Sequence, residues 1–533
     1  MKNIIKIFLI FAIITSMASA VYYPYKSTFP LSADISMNNH KLTDLAAPTA
    51  SNDAATKAYV DSSGGSGGSG GVEVVTVGPS ATNDYVTDGT NDYVEIQQAL
   101  NDAVDGERVV EVQPADYNFG ASGYIDIPNG IKITCPAEPA FGSSGYVSGS
   151  KQCAAFRITS TTTTPVIMRG GTVLENIYLV YPNQVDPNNV IVYPSTIIAA
   201  KTIQEWDACP ITIRGCVAGN AYKFIDFSTV DVLNDVLIEH VKGSVLHTGV
   251  KIDNCGHVTR CVDVQFVPEF GGVNSLAWQQ YIGEHLVAFD CGLNLAGYFS
   301  ECKVWPANTG YKLHDTWWTT MIDCMADLVT HPIILENTDR CRIIGGQFVA
   351  GTAADGGASI TWSRSAHTAI FIDANSDSNV IDNVDVISGG SGVSISPGAF
   401  GNMITGCSFS VGLGQTDDWV GAIWDNGNKT ISNLNAIEFG SRSGVQGIVT
   451  TGSDSEHSQF SYRDNGLGSS ITFDVGTRTL LNGVGRNNGV PGSEGDWAGV
   501  AKPGAIVFDN TNQNAYICID TAPGWNPVWK LIN

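Results

Sequence analysis

The sequence predicts an all-β parallel solenoid, a β-helix, and three observations carry that expectation. Of 533 residues only 15% are charged while 58 are Gly, a balance of turn-rich β-structure over helix. A strand-like triad of apolar positions recurs with a short step of 20 to 27 residues. Leucine-rich repeats share that period, but their dense Leu consensus and helical half are absent. A unit of this length cannot bury its inward face until its neighbours stack on it, which defines a solenoid coil.

The segment 1–20, MKNIIKIFLIFAIITSMASA, sets Lys2 and Lys6 before an apolar run and ends in Ala18-Ser19-Ala20. It has the layout of a cleaved secretory signal, too short for a membrane anchor, and no later segment is expected to span a bilayer. A secreted or extracellular protein, or one on a virion surface, is the expectation.

Residues 21–61 contain MNNHKLTDLAAPTASNDAATKAYVD, with Asn39, Leu42, Leu45, Pro48, Asp53, Ala54, Lys57, Tyr59, Val60 and Asp61 in a spaced pattern. The pattern resembles the short repeat of bacteriophage tail fibres, and the resemblance implies a homotrimer wound about a common axis. The residues themselves predict a short strand, a turn and a short helix over Asn52 to Val60. The next segment, 62–71, is SSGGSGGSGG and is read as a flexible linker.

The β-helix is expected over 72–440. It opens on a helix whose apolar face is Val94, Ile96, Ala99, Leu100 and Ala103, stopped at Gly106 before a strand from Arg108 to Val112. A short helix, a strand and P-x-x-Y resemble the start of the pectate-lyase-like superfamily. The resemblance implies a right-handed parallel β-helix with an N-terminal capping helix that covers the unpaired edge of the first coil.

The triads are Leu174-Ile177-Leu179, Ile213-Cys216-Ala218, Leu233-Val236-Ile238, Thr259-Val262-Val264, Phe299-Cys302-Val304, Met321-Cys324-Ala326, Ile343-Gly346-Phe348, Ile381-Val384-Val386, Ile404-Cys407-Phe409 and Ile431-Leu434-Ala436. Their central positions face inward. Cys216, Cys302, Cys324 and Cys407 are therefore read as buried small hydrophobes, with Cys302 stacked on Cys324. Reduced thiols are preferred over disulfides among the twelve Cys. The position before each centre holds Asn176, Gly215, Asp235, Cys261, Glu301, Asp323, Gly345, Asn383, Gly406 and Asn433, where Asn and Gly favour a left-handed turn.

Residues 441–494 are Gly- and Ser-rich and are expected to be irregular. The segment 495–533 predicts a small β module with strands Ala505 to Phe508, Ala515 to Ile519 and Val528 to Ile532. It resembles a module at the C-termini of phage tail-spike and related proteins.

The formal charge of −24, with 28 Lys plus Arg against 52 Asp plus Glu, argues against nucleic acid and, less strongly, against a polyanionic glycan. A polysaccharide or cell-surface glycan is the expected partner. Glu301 and Asp323 fall on adjacent coils, the spacing of a retaining glycosidase pair, while a solvated acidic turn ladder is the simpler reading of the same residues. Trp305, His314, Asp315, Trp317 and Trp318 offer flat apolar faces for sugar rings beside titratable groups. Glu284-His285 and Asp290 are further candidates.

The N-T-D, G-H-G and R-I-K motifs of polygalacturonases and the Arg and Asp clusters of pectate lyases are missing. Asp373, Asn375, Asp377 and Asn379 alternate like a calcium loop but lack its Gly and closing Glu, so they are read as a polar turn. No metal or cofactor is expected. Three functional readings follow: an exported fibre or spike that binds surface carbohydrate, a polysaccharide depolymerase of hydrolase type on the same shaft, and a purely structural appendage.

Overall fold

The computed structural model describes residues 74–105, 109–139, 153–200, 210–228, 233–268, 275–292, 296–351, 367–388, 390–411, 421–433 and 435–438, and the strands at 448–450, 456–458, 461–463, 484–487, 506–509, 514–522 and 526–532. The chain divides into two units, Met1–Gly71 and Val72–Asn533, and every described residue belongs to the second. The export signal, the fibre-like repeat, the helix expected over 52–60 and the Gly/Ser linker lie outside the described residues.

The second unit is a right-handed parallel β-helix. Each coil visits three walls in turn. The first wall is a 15-stranded parallel sheet, to which Val173–Glu175, Ile211–Arg214, Ala296–Ser300, Thr320–Ile322 and Arg342–Ile344 belong. The second and third walls are two halves of a 22-stranded sheet that bends at a corner. Five strands build the part of the third wall that matters below: β1 (Val217–Asp226), β2 (Lys242–Ile252), β3 (Val287–Gly292), β4 (Ala307–Trp317) and β5 (Met325–Asp339). Of these, β1, β2 and β5 run across the second and third walls without a break.

A helix, α1 (Tyr93–Asp102), packs against the first strands and buries Ile96, Ala99 and Leu100. It covers the apolar end of the stack, whose edge would otherwise be open. Val94 departs from the expected apolar face and is exposed. The helix tightens into a 3-10 turn at Ala103–Asp105, and the following strand is Val109–Val112.

The turn from the first wall to the second is one residue in the left-handed region. Asn176, His240, Asp263, Glu301, Asp323 and Asn383 have φ between 50° and 59°, and Gly215, Gly345 and Gly406 stand at the same place with φ from 59° to 65°. A carbonyl of the next coil accepts each backbone N–H, as from Glu301 to Ile322 at 3.0 Å and from Asp323 to Ile344 at 3.0 Å. This corner corrects the triad register in three coils. Ile213 pairs with Ile238, and Ile238 with Cys261, so the inward centres there are Val241 and Val264, not Val236 and Val262. Ile404 pairs with Ser432, which moves the centre to Asn435. Ser432 and Asn435 are buried, while Ile431 is exposed.

Cys216, Cys302, Cys324 and Cys407 are all buried. Cys302 opposes Cys324, because the residues that follow them pair as Lys303 with Met325. Cys135, Cys261, Cys291 and Cys341 are buried as well, and none of these eight cysteines is bridged. Burial raises the Cys216 and Cys407 thiols to about 12, so they behave as small apolar groups.

Aromatic rings fill the middle of the shaft. Phe289 and Tyr311 stack with centroids 4.9 Å apart and planes 4° apart, and Phe299 meets both rings edge-on. The Tyr311 hydroxyl donates to Cys302 O at 2.8 Å and lies 3.2 Å from Met325 O, so the buried phenol is satisfied.

The ladder does not stop near 440. Ile448–Thr450, Glu456–Ser458 and Ser461–Arg463 pair onto the three walls. The C-terminal sheet has four strands, Val484–Asn487, Ile506–Asp509, Asn514–Ala522 and Asn526–Ile532, the last three antiparallel. Its first strand falls in the stretch expected to be irregular. No helix among the described residues is long and apolar enough to cross a membrane.

Candidate functional site

The outward columns of the third wall carry an ordered set of charges. Asp226 pairs in register with Lys251, Lys251 with Asp290, and Asp290 with Lys312, across β1 to β4. Two residues further along, Gly292 pairs with His314 and His314 with Glu336. Asp253 follows Ile252, which pairs with Cys291, and so stands in the column of Gly292 and His314. Gly292 leaves a gap between them. A Cβ there would lie 2.1 Å from His314 Cε1, so the imidazole lies across the Gly292 backbone and reaches two coils back.

His314 Nε2 is 3.3 Å from Asp290 Oδ1 and 3.5 Å from Asp253 Oδ1, and its Nδ1 is 3.4 Å from Asp315 Oδ2. A single N–H on Nε2 serves one carboxylate well, and the buried Asp253 Oδ1 is left without a hydrogen bond. Lys251 Nζ lies 3.6 Å from Asp290 and 3.9 Å from Asp253. The two carboxyls consequently diverge. Burial raises the Asp253 pKa, whereas Asp290, although burial opposes it, is lowered by its bond to His314 and by Lys251. The bond to Asp290 is also the largest cause that raises His314. Two carboxyls with opposed shifts about one imidazole form an arrangement able to hold and pass a proton.

The signs fix a pH dependence. His314 has a raised folded pKa, so its contribution to stability is complete below about 6.5 and is lost as pH rises through the raised value. Asp290 has a lowered folded pKa, so its contribution is present above about 3.9 and is lost as pH falls through the lowered value. Wild-type stability should therefore exceed that of His314→Gln most in mild acid, with the gap closing in alkali. Gly292→Ala, which displaces the ring, should reproduce the same flattening. Thermal midpoints measured across pH check both, and a gap independent of pH would contradict the arrangement.

Trp317 and Trp318 stand where the third wall turns back to the first. They are 40% and 54% exposed, and Trp318 has φ 57°. Asp315 is also left-handed, and its carboxylate accepts from Asn337 Nδ2 at 2.6 Å. His314, Asp315, Trp317 and Trp318 thus share one end of β4. Trp305 does not join them. It precedes the other end of β4, roughly 30 Å away along the strand contour at about 3.3 Å per residue.

Glu301 and Asp323 are exposed residues of the turn column between the first and second walls. The first-wall strand Thr320–Ile322 separates Asp323 from Trp318. Asp323 Oδ1 leans over Gly345 of the next coil, where a Cβ would lie 2.2 Å from it, as Asn176 Oδ1 leans over Gly215. The pair therefore shares a column with turn asparagines, and Asp323 shares their habit.

His285 ends α2 (Leu276–His285), stacked on Tyr281 at 4.1 Å with Nδ1 2.8 Å from Tyr281 O. Asp373 Oδ1 takes the N–H groups of Asn337 and Asn375 and the Ser376 hydroxyl, and Asp377 Oδ1 takes Phe400 N–H. Those oxygens serve turns. Among the described residues no group of three or more His, Cys, Asp or Glu has a metal-binding arrangement.

No family model matches the chain, and no curated protein matches it. Solved structures do. The A-module of a mannuronan C-5 epimerase from Azotobacter vinelandii is 12% identical, with 75% of this chain and 98% of that chain covered and a TM-score of 0.39. A surface adhesin of Streptococcus pneumoniae is 10% identical, covering 87% of this chain and 100% of that chain with a TM-score of 0.35. A full-length tailspike protein of an Escherichia coli bacteriophage is 12% identical, covering 78% of this chain and 42% of that chain with a TM-score of 0.28. At these identities the likeness is one of fold.

Proposed function

We propose that this chain is a carbohydrate-binding β-helix of an exported or virion-surface spike, and that it recognises glycan at the edge where the third wall meets the first. The exposed Trp317 and Trp318 side by side are the observation that supports the reading. Water covers these large apolar faces, and the pyranose C–H face is the partner that stacks on such a ring while its hydroxyls stay wet. The fibre-like repeat at 37–61 supports a trimeric appendage.

A second reading, polysaccharide cleavage, is favoured by the opposed pKa shifts of Asp253 and Asp290 about His314. In that reading Asp253 supplies a proton to the leaving glycosidic oxygen and Asp290 acts as the ionised partner. It displaces Glu301 and Asp323 as the preferred acid pair, because those two carboxyls occupy a turn column away from the indoles.

One glycan panel tests both readings. Retention by wild-type protein should fall by roughly tenfold or more in Trp317→Ala/Trp318→Ala. Release of reducing ends by wild type, abolished in Asp253→Asn, adds the hydrolase to the binder. Equal retention by wild type and the tryptophan variant would remove the proposed site.

A further inference from the structure

The tryptophan pair begins a longer feature. At the corner from the third wall to the first, Trp318 N–H donates to Asp339 O, Arg340 N–H to Asp377 O, Ser378 N–H to Phe400 O and Gly401 N–H to Asn428 O. Trp317, Asp339, Asp377, Phe400 and Asn428 are therefore stacked coil on coil, with Trp318, Arg340, Ser378, Gly401 and Lys429 beside them. Just past the corner, on the first wall, a second column runs in register from Arg260 through Tyr298, Thr320 and Arg342 to Val380, Met403 and Ile431.

Two kinds of side chain concentrate on this edge. Five large aromatics among the described residues are exposed, and four of them, Tyr298, Trp317, Trp318 and Phe400, lie here. Four exposed cations, Arg260, Arg340, Arg342 and Lys429, lie here too. Arg260, Arg342 and Lys429 form no ion pair with any described residue, whereas Lys132, Arg157, Arg169, Arg214, Lys251 and Lys312 all do; away from this edge the scattered Lys223 and the exposed Lys303 also lack one. Two carboxylates share the corner and are both engaged. Asp339 lies 3.6 Å from Arg340 Nε, and Asp377 takes the Phe400 N–H at 2.9 Å. Lys429 Nζ stands 4.8 Å over the Phe400 ring.

In a protein of net charge −24, a strip of uncompensated cations interleaved with bare rings is a local reversal of sign. We propose that this strip binds a linear anionic polysaccharide, carboxylated or sulfated, laid parallel to the helix axis. The proposal rests on the glycan-binding reading and names its substrate class. Coils are about 4.8 Å apart, so the six steps from Arg260 to Lys429 span roughly 29 Å, and only an extended polymer meets both ends. Guanidinium groups donate paired N–H bonds to the oxygens of a carboxylate or sulfate while the rings take the sugar faces between them. The strip lies on the first-wall side of the indoles, so the polymer avoids Asp253 and Asp290.

The experiment uses full-length protein, immobilised neutral, carboxylated and sulfated linear polysaccharides, and a single-stranded oligonucleotide. Wild type should be retained by anionic glycans, less so as salt rises. Arg260→Gln/Arg342→Gln should weaken that retention by roughly tenfold while its thermal midpoint stays that of wild type, since both side chains are exposed. Neutral glycans retained equally by wild type and the double variant would overturn the strip and leave the glycan-binding reading standing. Retention of nothing would overturn both, and retention of the oligonucleotide alone would replace the polysaccharide with a nucleic acid.

Discussion

Replacing Tyr311 by Ala should cost about 3 to 5 kcal/mol of stability, the usual range for removing a buried aromatic. The ring is fully buried, stacked on Phe289 and met edge-on by Phe299 and Phe348. Each coil depends on its neighbours to close the core, so the loss spreads along the stack. Tyr311→Phe separates packing from hydrogen bonding. It keeps the ring but removes the donor to Cys302 O, and should cost about 1 to 3 kcal/mol. Urea titration of the three proteins measures both, and a Tyr311→Ala midpoint within error of wild type would contradict the packing.

Replacing Gly346 by Ala should cost about 3 kcal/mol or more. Gly346 has φ 86°, and a Cβ would lie 2.0 Å from Cys324 O and 2.9 Å from Cys324 N, both backbone atoms that cannot turn aside. A left-handed residue alone costs about 1 to 2 kcal/mol, and the clash adds to it. Gly345 is the control. Its Cβ would crowd the Asp323 carboxylate, a side chain free to rotate, and meet backbone only at an ordinary 3.8 Å from Asp323 N, at a turn position where other coils carry Asn, Asp, Glu and His. Gly345→Ala should cost about 1 kcal/mol, and equal effects at the two glycines would sink the explanation.

The corner between the first and second walls was legible because one left-handed residue turns the chain there in nine coils, from Asn176 to Gly406. That constancy keeps the step near 22 residues and exposes the inward thiols as members of a series. The register slipped where the cue was atypical. In two coils the first-wall strands, Leu233–Glu239 and Cys255–Val262, run seven and eight residues and alternate well enough to accept an earlier triad. At Ile431 the inward residues are Ser432 and Asn435, both polar, so an apolar template moved by one position and reversed the face.

The candidate site was only half legible for a related reason. His314, Asp315, Trp317 and Trp318 are neighbours in sequence and needed no register to be grouped, which also swept in Trp305 from the far end of β4. Asp253 joins them only through the third wall, and the excursion that carries α2 between Phe266 on the second wall and Val287 on the third wall of the same coil hides that pairing from any fixed period. The basic edge was hidden by the net charge, which sums over the whole surface and says nothing of where the few unpaired cations stand.

Hydroxyl-radical footprinting of the full-length protein, with and without the most strongly retained polysaccharide of the panel, tests glycan recognition at this edge most directly. The account predicts protection of Trp317, Trp318, Tyr298 and Phe400, with Trp305 unchanged. Protection at Trp305, or among the residues around Glu301 and Asp323 with the four edge aromatics unchanged, would contradict it.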